Sequence, residues 1–230
     1  MRKDVVIIHY NTPELTTAAI KSLNKTTEGC KVILFDNSDT KPFVNTSDNV
    51  EVIDNTKGQV IDFKKWLATF KDKEPSPGND YGSAKHCYSV QWFKDHRKNP
   101  FVLMDADVLL KKDITELWDE DKAFVGHIGC NTKRFGYTVN RVEPWLCFIN
   151  VRMMRQHGFE YFNPKKMWNL VKKAPDDHYD TGAWFLEEVK RLGLPYTEID
   201  NKAFGIHLRH GSWRKKDDEQ WLKENEKLWK

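Results

Sequence analysis

Paired cysteines, a glycine-rich loop after the first apolar run, and long apolar segments are all missing from this sequence. Its 230 residues include four cysteines, none in a Cys-x-x-Cys pair, so neither a zinc ribbon nor a redox pair is expected and a reducing compartment is favoured. The first apolar run is interrupted by His9 and Asn11, which makes it too short for a signal peptide or a membrane span. We therefore expect a soluble, cytoplasmic protein.

A large excess of one charge is also missing, because 37 lysines and arginines nearly balance 34 aspartates and glutamates, leaving a formal net charge of +3. Extended binding to nucleic acid needs a strongly basic surface, so nucleic acid is not an expected partner. The sequence has no internal repeat or low-complexity tract. Its length supports one domain over residues 1–230 with a substantial core.

Strand-like and helical patterns alternate along the chain. Predicted strands cover residues 5–9, 31–35, 50–53, 123–128, 145–151 and 204–207, with another beginning at residue 101. Predicted helices cover residues 13–24, 60–70, 83–98, 114–118, 180–192 and 217–229, and 71–80 is the clearest loop. Strand-helix alternation of this kind indicates a doubly wound α/β fold.

The apolar run that begins at Phe101 ends in Asp105-Ala106-Asp107. Residues at i and i+2 of an extended segment point the same way, so both carboxylates can face one site at the carboxyl edge of the sheet, where such folds bind ligands. Two neighbouring carboxylates repel each other unless a cation lies between them. An isolated Asp-x-Asp is more often a solvated acidic loop, so its context has to decide.

That context is a series of five motifs whose order resembles the GT-A glycosyltransferases, especially family 2 and its relatives. The motifs are His9-Tyr10-Asn11-Thr12-Pro13, Phe35-Asp36-Asn37-Ser38, the segment 79–86, Asp105-Ala106-Asp107, and the segment 145–152 followed by His157-Gly158-Phe159-Glu160. The resemblance covers most of the chain. It implies a Rossmann-like, mostly parallel central sheet flanked by helices, with a nucleotide-binding half at 1–110, an acceptor-binding and catalytic half at 111–215 and a terminal helix at 216–230.

The resemblance also implies an activity: metal-dependent transfer of a sugar from a nucleotide diphosphate donor, a UDP-sugar for preference, to an acceptor hydroxyl, with inversion. Asp36, at a strand end, can accept hydrogen bonds from a ribose or a base, although a turn-forming role explains it equally well. Gly82 and Ser83 at a helix start offer N–H groups to phosphate. The predicted donor-binding residues are Tyr10, Asn11, Asp36, Gly82, Ser83, His86, Asp105, Arg209, Trp213 and Arg214.

For the metal, the resemblance implies Asp107 as direct ligand, with Asp105 contacting ribose or a metal-bound water. A histidine late in the chain often completes the set; His207 is favoured and His210 is kept as an alternative. Oxygen ligands favour Mg²⁺ or Mn²⁺, and Mn²⁺ tolerates imidazole better.

Transfer with inversion needs a base for the acceptor hydroxyl. The resemblance favours Asp180, with Asp177 second, although Asp180 can also be read as a helix N-cap. Trp145 and Trp184 are predicted to stack on sugar, because aromatic rings pack against apolar sugar faces.

Two other functions fit the same fold. One is a non-catalytic module that binds nucleotide sugars or glycans. The other is a sugar nucleotidyltransferase, which usually carries the glycine-rich phosphate loop that this chain lacks. Three contacts are open to the terminal helix: the core, a partner or a membrane surface. We expect it to pack against the core.

Overall fold

The computed structural model describes residues 3–45, 47–70, 82–130, 140–167, 180–208 and 218–230. Its strands are β1 (Lys3–His9), β2 (Cys30–Asp36), β3 (Val50–Asp54), β4 (Phe101–Met104), β5 (Val108–Leu110), β6 (Phe124–Cys130), β7 (Asn140–Ile149), β8 (Thr197–Glu198) and β9 (Gly205–His207). Its α-helices are α1 (Pro13–Thr26), α2 (Phe63–Ala68), α3 (Gly82–His96), α4 (Val151–His157), α5 (Ala183–Arg191) and α6 (Asp218–Glu224).

The central sheet has seven strands in the order β3-β2-β1-β4-β7-β6-β8. Strands β1 to β4 are mutually parallel, β7 runs against both of its neighbours, and β8 is parallel to β6. Six strands therefore run in one direction and only β7 opposes them. This mostly parallel α/β sheet confirms the predicted fold class.

Helices cover both faces of the sheet, which explains why its central strands are apolar throughout. Alternate residues of β1 enter different core clusters: Val5 and Ile7 pack with residues of α1, and Val6 packs with residues of α3 and α5. Because parallel strands end at the same edge, His9 and Asp36 lie side by side there. The Asp105 that follows β4 joins them.

Several elements differ from the sequence prediction. The helix predicted at 114–118 is a single 3-10 turn at Thr115–Leu117 rather than an α-helix, and the terminal α-helix ends at Glu224 before a 3-10 turn at Glu226–Leu228. Strand β7 begins five residues earlier than predicted. Strand β5, which the prediction lacks, is too short for a periodic signal and depends on pairing with the distant β9. The predicted loop at 71–80 lies outside the described residues.

The terminal segment packs against α1. The Lys25 ammonium donates to the Lys227 carbonyl at 2.8 Å, and the Lys21 ammonium lies 5.5 Å from the Trp229 ring centre. Among the described helices, none has the length and apolarity to cross a bilayer.

Gly182 joins the segment of Asp180 to α5, and its backbone is specific for glycine. Its φ is +80°, and a Cβ there would lie 2.1 Å from the Val142 carbonyl oxygen of β7. Gly158 also has a positive φ, +66°, but has nothing within 4 Å of the Cβ position.

We expect Gly182→Ala to lower the free energy of unfolding by about 2–3 kcal/mol, because it adds a backbone clash to the left-handed penalty. Gly158→Ala, the matched control, should cost about 1 kcal/mol from conformation alone. Urea unfolding of both variants measures the difference. Equal losses would show that β7 moves to accommodate the new methyl group.

Candidate metal and donor site

Three potential metal ligands converge at the carboxyl edge of the sheet. Asp105 follows β4, Asp107 precedes β5, and His207 ends β9, directly opposite Val108 in the β5–β9 pair. The His207 Nε2 atom lies 3.1 Å from Asp107 Oδ1 and 3.6 Å from Asp105 Oδ2. The β5–β9 pairing thus joins two motifs a hundred residues apart in the sequence.

The donor set suits a hard divalent cation. One ligand atom from each of Asp105, Asp107 and His207 lies within 4.8 Å of the others, and each side chain is partly accessible. Two carboxylates and one imidazole match the preferences of Mn²⁺, and to a lesser extent of Mg²⁺. The three side chains can therefore share one cation.

Trp145 of β7 packs against His207 of this cluster. Its ring stacks on His207, with ring centres 5.3 Å apart and planes inclined by 20°, and it is 7% exposed. Its carbonyl accepts a hydrogen bond from the Asp105 N–H at 3.0 Å. Trp145 was predicted to stack on sugar; in this structure one of its faces lies against imidazole.

His86 of α3 lies on the other side of Asp105, with its Nε2 atom 3.5 Å from Asp105 Oδ1. Both ring nitrogens of His86 are buried, and neither has a hydrogen-bond partner of normal geometry within the described part of the chain. Burial raises the pKa of Asp105, but His86 and the charges of His207 and Arg141 outweigh it and hold that pKa below its usual value. Asp105 is thus kept ionised, and a ring nitrogen of His86 is available to a ligand.

At the same edge, Tyr10 and Asn11 of the turn after β1 bond to Asp39 of the loop after β2. We call these three side chains the polar ledge. The Tyr10 hydroxyl donates to Asp39 Oδ2 at 3.0 Å, and the Asn11 amide donates to Asp39 Oδ1 at 2.6 Å. These bonds, the Asn11 contribution first, lower the pKa of Asp39. Lys85 of α3 lies 5.7 Å from the Tyr10 ring centre. Asp39 is not among the predicted site residues, and its only signal in the sequence is its position three residues after Asp36.

Asp36 itself is buried, and its two oxygens accept bonds from backbone N–H groups of Ser38 and Phe43, at 2.9 and 2.7 Å. This pattern matches the turn-forming alternative, because the carboxylate shapes its own loop. Gly82 and Ser83 are the first residues of α3, as predicted from the helix-start pattern.

A second charged cluster surrounds Asp180. Arg141 of β7 donates to Asp180 Oδ2 at 2.8 Å and contacts Glu143 Oε2 at 3.3 Å, while the Thr181 N–H donates to Asp180 Oδ1 at 2.8 Å. Burial lowers the pKa of Arg141, but the charges of Asp180, Glu143 and Asp105 outweigh it and raise that pKa. Arg141 links the predicted base to the metal cluster electrostatically.

Arg141 and Glu143 are not among the predicted site residues, although two charged residues in a strand otherwise rich in apolar side chains are a usable signal.

Trp184 lies on α5, half-buried, with the Lys166 ammonium 5.8 Å from its ring centre. The predicted site residues that lie outside the described part of the chain are Asp177, Arg209, His210, Trp213 and Arg214.

Known proteins resemble this chain in fold rather than in sequence. No protein-family model matches it, and no curated protein is significantly similar. The galactosyltransferase LgtC, solved with donor and acceptor sugar analogues, aligns with a TM-score of 0.53 and 13% identity over 87% of this chain and 74% of LgtC. Mouse xyloside xylosyltransferase 1, in its apo form, aligns with a TM-score of 0.50 and 12% identity over 86% of this chain and 85% of its own. The chain therefore has the GT-A glycosyltransferase fold.

Proposed function

We propose that this protein is a metal-dependent glycosyltransferase, related to family 2, that moves a sugar from a nucleotide diphosphate donor, a UDP-sugar for preference, to an acceptor hydroxyl. The observation that carries the proposal is the convergence of Asp105, Asp107 and His207 at the carboxyl edge of a GT-A sheet. Open α/β sheets bind their ligands at this edge.

The diphosphate of the donor is the group that this cluster would receive. Asp107, Asp105 and His207 would hold Mn²⁺ or Mg²⁺, which when bound neutralises the diphosphate as the sugar departs. His86 would donate from its buried ring toward a phosphate oxygen. Gly82 and Ser83 open α3, and a helix start is a favourable place for a phosphate.

The nucleoside would lie along the ledge formed by Tyr10, Asn11 and Asp39. Asp39 holds the tyrosine and asparagine side chains in place, and its ionised carboxylate can accept hydrogen bonds from ribose hydroxyls. The Asp36 carboxylate stabilises the loop that carries Asp39, because it accepts hydrogen bonds from the backbone N–H groups of Ser38 and Phe43.

The sugar would leave by direct displacement, with inversion at the anomeric carbon. The acceptor approaches from the side of β6, β7 and α5, where Trp184 offers an aromatic face. Displacement needs a carboxylate that takes the hydroxyl proton as the new bond forms. Asp180 is the candidate that the sequence favours.

A thermal-shift panel of UDP-, GDP- and dTDP-sugars, each with and without Mn²⁺, tests the donor and the metal together. We expect one nucleotide to raise the melting temperature only when Mn²⁺ is present, by about 5–10 °C at a hundredfold excess over its Kd. Mn²⁺ without nucleotide, and nucleotide with EDTA, are the controls. If no donor shifts the transition, the proposal is wrong. Binding without release of the nucleotide diphosphate would instead favour a non-catalytic binding module.

A further inference from the structure

We propose that Glu143, rather than Asp180, is the carboxylate that accepts the proton of the acceptor hydroxyl, an inference that rests on the proposed sugar transfer. Glu143 lies in β7. Three observations support this role. Glu143 lies in an irregular stretch of its strand. One of its two carboxylate oxygens accepts no bond from the described residues, and Gly129 leaves space for the carboxylate.

Glu143 lies in a bulge beside the metal cluster. Strands β6 and β7 pair at Gly126 with Cys147, and next at Ile128 with Val142. Between these two pairs, β6 spans two residue steps and β7 spans five. The extra residues of β7 lie between these points and include Glu143. Bulges re-aim side chains and are enriched beside active sites.

The register of β7 places Glu143 beyond the carboxyl edge of the sheet. The Asp105 N–H bonds to the Trp145 carbonyl at 3.0 Å, so Trp145 lies opposite the end of β4. Because β7 runs against β4, the residues that precede Trp145 extend past this end, toward the space where the donor's sugar would lie. Two residues of strand span at most about 7 Å, so Glu143 is close to that space.

The two candidate carboxylates differ in what their oxygens already bind. Both oxygens of Asp180 accept short hydrogen bonds, from Arg141 and from the Thr181 N–H, and its side chain is 9% exposed. Glu143 has one contact, 3.3 Å from its Oε2 to Arg141, and is 20% exposed. Within the described residues no donor bonds to Glu143 Oε1. A carboxylate oxygen can accept more than one hydrogen bond, so the comparison is one of access. Glu143 is the more exposed of the two side chains, and one of its oxygens accepts no bond from the described residues.

The space around Glu143 Oε1 depends on the absence of a side chain at Gly129 of β6. A Cβ at this position would lie 2.1 Å from Oε1 and 2.8 Å from the carboxyl carbon of Glu143. Glycine weakens a strand and often marks a close approach. The absence of a side chain at Gly129 thus makes room for the Glu143 carboxylate.

In the proposed step the acceptor O–H bond breaks and its proton passes to Glu143 Oε1. The electron pair of that bond stays on oxygen, which bonds to the anomeric carbon as the carbon–oxygen bond to the diphosphate breaks. The diphosphate leaves with the electrons of that bond, and Glu143 later loses the proton to water. Arg141 keeps Glu143 and Asp180 in place as ion-pair partners.

Release of nucleotide diphosphate with water as acceptor, from the donor chosen by the thermal-shift panel, tests this assignment. We expect Glu143→Gln to lower kcat by about 10²–10³-fold with the donor Kd changed less than about twofold. Formate should restore part of the activity of Glu143→Ala.

Gly129→Ala tests the position of the carboxylate. It should lower kcat at least about tenfold with donor binding intact, and it should cost nothing further in the Glu143→Gln background. Glu116→Gln, whose side chain is 63% exposed and pairs with Lys112, is the matched control and should leave the rate unchanged. Melting temperatures of all variants report whether they fold.

Two results would overturn the inference. One is a Glu143→Gln rate within about threefold of wild type. The other is formate that restores activity to Asp180→Ala but not to Glu143→Ala, which would assign the base to Asp180. Either result leaves the glycosyltransferase proposal standing. Failure of that proposal looks different, because the wild-type protein would then bind no donor and release no diphosphate, and the role of Glu143 would fall with it.

Discussion

Replacing Asp107 with alanine is expected to abolish metal-dependent binding of the nucleotide. Asp107 Oδ1 lies 3.1 Å from His207 Nε2, and its carboxylate is one of three groups placed to share a cation. Losing a residue that only orients a metal ligand typically costs about 10–100-fold in metal affinity, so losing a direct ligand should cost at least about 100-fold. Calorimetric titration of UDP in the presence of Mn²⁺ measures the effect.

Asp113→Ala is the matched control, because Asp113 is an exposed carboxylate that follows β5 and whose hydrogen bonds, to Thr115 and Thr27, involve none of the three candidate ligands. It should leave Mn²⁺-dependent UDP binding unchanged. Wild-type affinity in Asp107→Ala would remove Asp107 from the metal site.

Replacing Arg141 with alanine is expected to be the most destabilising single change near the site. The guanidinium is the ion-pair partner of Asp180 and Glu143, and Asp180 is 9% exposed. Its removal leaves these carboxylates uncompensated close to Asp105, and breaking a buried pair in this way costs about 3–5 kcal/mol. Urea unfolding at neutral pH measures the loss.

Arg152→Ala is the control for this prediction. Arg152 pairs with Glu120, but its side chain is 47% exposed, so its loss should cost less than about 1 kcal/mol. The double variant Arg141→Met with Asp180→Asn should recover part of the stability, because it removes a buried charge along with its partner. Equal unfolding free energies for Arg141→Ala and Arg152→Ala would show that water replaces the guanidinium.

Local patterns in the sequence predicted most of the sheet and its helices. The apolar runs of β1, β2 and β4 are continuous because helices cover both faces of these strands, and such runs are recognisable without any partner. Helix α1 begins at Pro13, as the Thr12-Pro13 pattern indicates. Helix α4 was missed although its signals are local: Asn150 caps its start and Gly158, with φ +66°, ends it. In the sequence analysis these residues belong to the predicted strand at 145–151 and to the fifth motif of the resemblance.

Elements that depend on distant partners were harder to predict. Strand β5 has three residues and is recognisable only through its pairing with β9. The bulge in β7 is defined by its register against β6, and no periodicity within β7 reveals it. Arg141 and Glu143 precede the predicted strand at 145–151, and only the tertiary structure shows their ion pairs.

The sequence by itself determined the fold class and the Asp105-Ala106-Asp107 pair at the end of a buried strand, because apolar periodicity and strand geometry act over a few residues. Only the tertiary structure decided what meets that pair. Pairing of β5 with β9 delivers His207, stacking fixes Trp145 behind it, and Arg141 joins Asp180 to the same edge. These contacts join residues far apart in the chain, and their energies come from burial and charge pairing that exist only once the sheet has formed.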